Sequence, residues 1–147
     1  MTVKPNQSTV MTKPTTLQNI LRLVLGTFLL GAGISHLTFL RGEFQAQVPD
    51  WIPVSKDLTV ILSGIVEVLL GLSLILLKKQ RIKVGYIVAI FFVLIFSGNI
   101  SQFVNGVDAF GLSTDLSRGI RLLFQPVLIL WALWCTGAWQ EWRTPKT

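Results

Sequence analysis

Charge is scarce in this chain: of its 147 residues only 14% are Asp, Glu, Lys or Arg, where a soluble globular domain carries about a quarter. Cysteine and histidine are scarcer still, with Cys135 and His36 the sole examples. A lone cysteine excludes an intrachain disulfide and a Cys-x-x-Cys redox pair. One histidine with no cysteine beside it leaves too few ligands for zinc or haem held by this chain alone, so no metal site is expected at His36 and Glu67. Gly-rich phosphate loops, nucleophile elbows and HExxH motifs are also missing. The common soluble-enzyme chemistries therefore have no support, and the isolated chain is expected to lack catalytic activity.

What the chain does have is apolar length. Hydrophobic residues make up 51%, the mean hydropathy is +0.62, and four stretches approach the roughly 20 apolar residues that cross a hydrocarbon core of about 30 Å. These predict helices over residues 17–40, 58–77, 84–104 and 119–139, an all-α integral membrane antiparallel four-helix bundle with no room for a separate soluble domain. The second stretch holds fourteen Leu, Ile and Val residues in twenty. At about 0.3 to 0.6 kcal/mol each, they outweigh the roughly 2.5 to 3.5 that an acidic residue such as Glu67 costs at mid-helix. Pro126 in the fourth stretch is tolerated in a transmembrane helix when neighbours satisfy the freed carbonyl. Residues 1–16 are polar, carry Pro5 and Pro14, and read as a disordered tail; residues 140–147 form a second short tail. A cleaved signal peptide competes for the first stretch, because Gly31, Ala32 and Gly33 imitate a cleavage site. The long polar lead and the continuation through Ile34 and Leu37 favour a retained helix.

The net charge of +6 does not point to nucleic acid, because the basic residues flank the apolar stretches instead of gathering on one face. They set topology. Lys4, Lys13, Arg22, Lys78, Lys79, Arg81, Lys83, Arg143 and Lys146 fall on one side; Arg41, Lys56, Arg118 and Arg121 fall on the other, among five acidic residues. By the positive-inside rule the first side is cytoplasmic, with both termini in, and the protein is multi-pass, in a bacterial inner membrane. Trp51, Trp139 and Trp142 suit either interfacial anchoring or ordinary packing.

With a rise of about 1.5 Å per residue, His36, Glu67, Asn99, Gln102, Arg121 and Gln125 all fall at or beyond the midplane on the outer side. The cytoplasmic half, by contrast, reads as apolar. Ser63, Gly64, Glu67 and Gly71 share one helical face, as do Gly26, Gly33 and His36, and small residues on such faces let helices approach closely. A charge facing lipid is costly, so Glu67 and Arg121 are expected to face inward and find partners. Two readings stay open: a polar pocket reaching the outer face, or an internal network that sets helix packing. The first outer loop, with Pro49, Trp51 and Pro53, is either a lid over the pocket mouth or an interfacial anchor.

These residues resemble the DoxX-like family of small four-helix membrane proteins. The resemblance runs through Gly31-x-Gly33-x-x-His36, Val48-Pro49-x-Trp51-x-Pro53, Gly64-x-x-Glu67 with Gly71, Asn99, and Arg121 with Gln125 and Trp131. It departs at Ser97-Gly98-Asn99, where a proline commonly precedes the asparagine. What it implies is an accessory subunit of a quinone-linked membrane redox system, with the bilayer and a membrane-protein partner or a second copy as its contacts. An assembly or chaperone-like factor and a small-solute transporter are the alternatives. For a transporter, four helices are few, and no inverted repeat is visible.

Overall fold

In a computed structural model of the chain, which describes residues 13–143, the described residues are almost entirely helical. The order is α1 (Thr16–Leu37), α2 (Arg41–Gln45), α3 (Lys56–Leu76), α4 (Arg81–Val104), α5 (Asp115–Thr136) and α6 (Ala138–Arg143). Four helices are long and apolar enough to cross a membrane: α1, α3, α5, and α4 together with the 3-10 turn that precedes it. Of the expected tails, residues 1–12 and 144–147 lie outside the described residues, and residues 138–143 are helical.

Capping decides where the helices start and stop. Thr15 and Gln18 form a capping box at the start of α1, and Thr114 with Ser117 forms another at the start of α5. Each satisfies backbone N–H groups that the first turn leaves without partners. The Thr114 box starts α5 four residues before the predicted Gly119 and brings Arg118 into the helix. At the other end Gly137, with φ +83°, takes the left-handed conformation that stops α5 at Thr136 and turns the chain into α6. The expected six-residue basic connector between the second and third spans is itself helical: Lys78–Gln80 is a 3-10 turn that runs straight into α4.

Glycine positions seven apart bring α1 and α3 together as an antiparallel pair. A Cβ built on Gly33 would lie 2.6 Å from the Gly64 carbonyl oxygen, and one on Gly71 would lie 2.7 Å from that of Gly26. The two backbones are therefore in contact along the seam, as small-residue packing predicts. Helices α4 and α5 form the second antiparallel pair, closest where Gly85 faces the Thr136 side chain. Between the pairs lies one apolar core of Leu25, Leu29, Leu74, Val88, Phe92 and Ala132. The outward faces are apolar as well: Phe28, Leu69, Ile90, Leu94, Leu123 and Leu130 are all exposed.

All four long helices thus run between two ends. The loop end carries the connectors 38–55 and 105–114. The terminal end carries the start of α1, the turn from α3 into α4, and α6.

Candidate functional site

At the loop end the glycine seam sets the first element of the site. With Gly33 against Gly64, the next turn of α1 brings His36 beside Ser63 and Glu67 of α3. His36 Nδ1 lies 3.1 Å from Ser63 Oγ and 3.6 Å from Glu67 Oε2. The Ser63 hydroxyl donates to the Val60 carbonyl at 2.9 Å, so its remaining lone pair accepts from His36. In that arrangement the imidazole proton sits on Nδ1. Glu67 is only 4% exposed, and its Oε2 has no hydrogen-bond partner. A buried carboxylate oxygen without a donor costs several kcal/mol if the group is charged. It marks a position that a proton or a ligand can complete.

The second element lies between α4 and α5. Asn99 Nδ2 donates to Gln125 Oε1 at 3.0 Å, and Gln125 Nε2 donates to the Phe92 carbonyl at 2.8 Å. Both amides are buried and occupied by the opposing helix, so this pair ties α4 to α5.

The connectors join the two elements. Gln47, in the first connector, is buried and donates from Nε2 to Gln102 Oε1 at 3.0 Å, while Arg121 Nη2 donates to Gln47 Oε1 at 3.0 Å. The Gln102 amide in turn donates to the Val107 carbonyl at 3.3 Å. Above them runs an aromatic stack. Phe44 of α2 packs on the His36 ring, Phe110 of the second connector meets Phe44 edge-on at 4.6 Å, and the Arg121 guanidinium lies 4.5 Å from the Phe110 ring centre. Phe110 holds a left-handed φ of +56°, a strained backbone for a bulky residue. Its N–H donates to Glu43 Oε2 at 2.6 Å, so α2 supports both rings.

All six predicted cluster residues therefore lie at one end, but not in one network. Glu67 pairs with His36; Arg121 turns instead to Gln47 and Phe110, and no Glu67–Arg121 ion pair forms. In the first outer loop, read as a lid or an interfacial anchor, Trp51 is 73% exposed, Pro53 is exposed and Pro49 is buried. Phe44, Gln47 and Phe110 do the covering. These three carried no signal in helical periodicity, because they come from connectors. The one available cue was the neighbour relation of Gln47 to Val48-Pro49, in a loop too short to stay far from the helix ends.

The expectation that nearly every buried polar side chain lies at the outer end is also corrected. At the terminal end Gln18, Arg22 and Thr136 are buried. Gln18 Nε2 donates to the Trp134 carbonyl at 2.9 Å, Arg22 donates to the carbonyl of Leu74, and Arg81 Nε donates to that of Thr136 at 3.0 Å. Helix C-termini present carbonyls with no intrahelical donor, and they draw cations and amides to themselves. Among the described residues no group of three His, Cys, Asp or Glu side chains is placed to hold a metal.

Fold and site together define an all-helical protein with four helices of membrane-crossing length and apolarity and a buried His–Glu pair at one end. The chain belongs to the family described as domain of unknown function DUF8561, whose model matches residues 25–136. The matched span takes in the glycine seam and every residue of the loop-end cluster, and it leaves out Gln18 and Arg22. No curated protein matches the chain, and no solved structure does.

Proposed function

We propose that this chain is an integral membrane protein of DoxX-like type, an antiparallel four-helix bundle with both termini on the cytoplasmic side of a bacterial inner membrane. Its loop-end site binds the headgroup of a quinone, and the protein serves as a non-catalytic accessory subunit of a membrane redox system. The membrane part rests on four apolar helices whose outward faces are also apolar, an exterior that soluble monomers rarely present. The orientation rests on the basic residues at the terminal end.

One observation carries the ligand reading: the buried Glu67 Oε2 has no partner and lies 3.6 Å from His36 Nδ1. A quinone, when bound, supplies a two-electron, two-proton carrier. The residues of this chain supply an acceptor for a quinol hydroxyl at Glu67 and the His36 imidazole beside it. Phe44, packed on His36, adds an aromatic ring beside the pair.

The test is purification from native membranes with extraction and quantification of quinone. The wild-type chain is expected to carry quinone and a respiratory partner, and Glu67→Gln to lose the quinone while keeping the fold. Purification free of quinone in both forms, with a stoichiometric protein partner that ignores Glu67→Gln, would sink the quinone reading in favour of an assembly factor acting through helix contacts.

A further inference from the structure

At the terminal end, remote from the loop-end site, an apolar groove of about 400 Å³ runs between α4 and α5 and is bordered by α6. Tyr86, Ala89 and Val93 line one wall, Ile129 and Leu133 the other, and Trp139 the end at α6. The Tyr86 hydroxyl donates to the Ala138 carbonyl at 2.9 Å, so the groove presents carbon. From Tyr86 to Leu94 it follows eight residues of helix, about 12 Å at 1.5 Å per residue, close to the roughly 15 Å of one leaflet's hydrocarbon. That length and its apolar lining suit one extended alkyl chain.

The mouth of the groove is basic. Lys83 lies one turn before Tyr86, is exposed, and its side chain makes no ion pair or hydrogen bond among the described residues. Arg143 follows the groove residue Trp142 and stacks on Trp139 at 4.9 Å, without an acidic partner among the described residues. Lys79 is exposed one turn further out, and Glu141 is the acidic side chain at this mouth. Trp139 and Trp142 meet edge-on at 6.0 Å, as aromatic residues at headgroup level commonly do.

We propose that this groove is a binding site for an anionic phospholipid, one acyl chain lying along Ala89 and Val93 and the phosphate headgroup resting on Lys83 and Arg143. The proposal rests on the membrane reading above and is independent of the quinone. A Lys or Arg at headgroup level favours anionic lipid by roughly fivefold, so two such charges make a preference large enough to measure.

The full chain, solubilised in detergent and equilibrated with equal amounts of phosphatidylglycerol and phosphatidylcholine of the same chain length, is examined by native mass spectrometry. Wild type is expected to retain one phosphatidylglycerol in preference to phosphatidylcholine. The double variant Lys83→Gln with Arg143→Gln, both exposed and outside the core, is expected to lower that preference by about 25-fold, and Val93→Trp to lower retention of both lipids. Equal retention of the two lipids by wild type, or a preference untouched by the double variant, overturns the site. Alkaline-carbonate extraction of the same membranes separates the two failures: a chain that washes out overturns the membrane reading itself, whereas one that stays and shows no lipid preference overturns only the groove.

Discussion

Both ends of the four helices bury polar side chains, and they use them differently. At the terminal end Gln18, Arg22, Arg81 and Tyr86 all donate to backbone carbonyls near the C-terminal ends of helices or the turn that follows. At the loop end His36 bonds to Ser63, Gln47 to Gln102 and Arg121, and Asn99 to Gln125, and Glu67 keeps an oxygen without a partner. Carbonyls at helix ends are obligatory acceptors, so covering them completes the fold, even though Arg22 Nε and Asn19 Oδ1 keep no hydrogen-bond partner there. Side chains bonded to side chains keep spare capacity that a ligand can take up. What a buried polar group bonds to therefore separates the two ends better than its burial does.

The largest effect is expected where both ends depend on the same contact. Gly33→Leu would set a Cβ against the Gly64 carbonyl oxygen and the Val68 backbone nitrogen, which only separation of α1 from α3 relieves. A loss of about 3 kcal/mol or more is expected, read as loss of the monodisperse species on size exclusion in detergent.

The contrast itself is tested by a pair of variants. Arg22→Met strands carbonyls at the end of α3 and should cost about 1 to 3 kcal/mol, lowering the melting temperature in detergent without altering quinone content. Glu67→Gln should do the reverse, keeping or raising the melting temperature, since it removes a buried carboxylate whose Oε2 has no hydrogen-bond donor, and abolishing quinone retention. If Glu67→Gln proved as destabilising as Arg22→Met, both ends would be packing networks and the loop-end site would fall.

Gln47→Ala comes next. It removes the amide that joins Gln102 to Arg121 and should cost about 1 to 2 kcal/mol. The connector would loosen over His36, and a cysteine placed at Ser63 would label faster with a maleimide than the same cysteine behind an intact Gln47.

The smallest effect belongs to the exposed rim. The Lys56 ammonium, 2.7 Å from Asp50, holds that carboxyl below the usual carboxylate range. A depressed folded-state value adds stability above the unfolded value and loses it as pH falls through the folded one. With the Asp50 side chain 92% exposed, solvent screening leaves little of this. Asp50→Asn should therefore leave the melting temperature unchanged between pH 7 and pH 4.

Much of this was legible in the chain. Apolar length locates the four long helices, and the glycine spacing identifies the faces on which α1 and α3 meet, with His36 and Glu67 on those faces. The helix ends were less legible, because Thr114 and Gly137 act through caps and a left-handed turn that apolar runs do not register. Arg22 reads as a topology marker, since a basic residue near a helix start suits the cytoplasmic interface; its long side chain instead reaches the end of α3. Trp51 reads as a lid or an interfacial anchor; it is exposed, while Gln47 is buried and Phe44 packs on His36.

The sequence by itself determined the all-helical class, the four long apolar segments and the small-residue faces, because each depends on periodicity within one segment. Tertiary structure alone decided that Glu67 meets His36 and not Arg121, that Gln47 joins α4 to α5, that Phe110 is held in a strained turn by Glu43, and that the terminal end has a polar network of its own. Those contacts join residues separated by tens of positions in the chain, and they depend on how far a side chain reaches once the glycine seam and the connectors have set the spacing between helices.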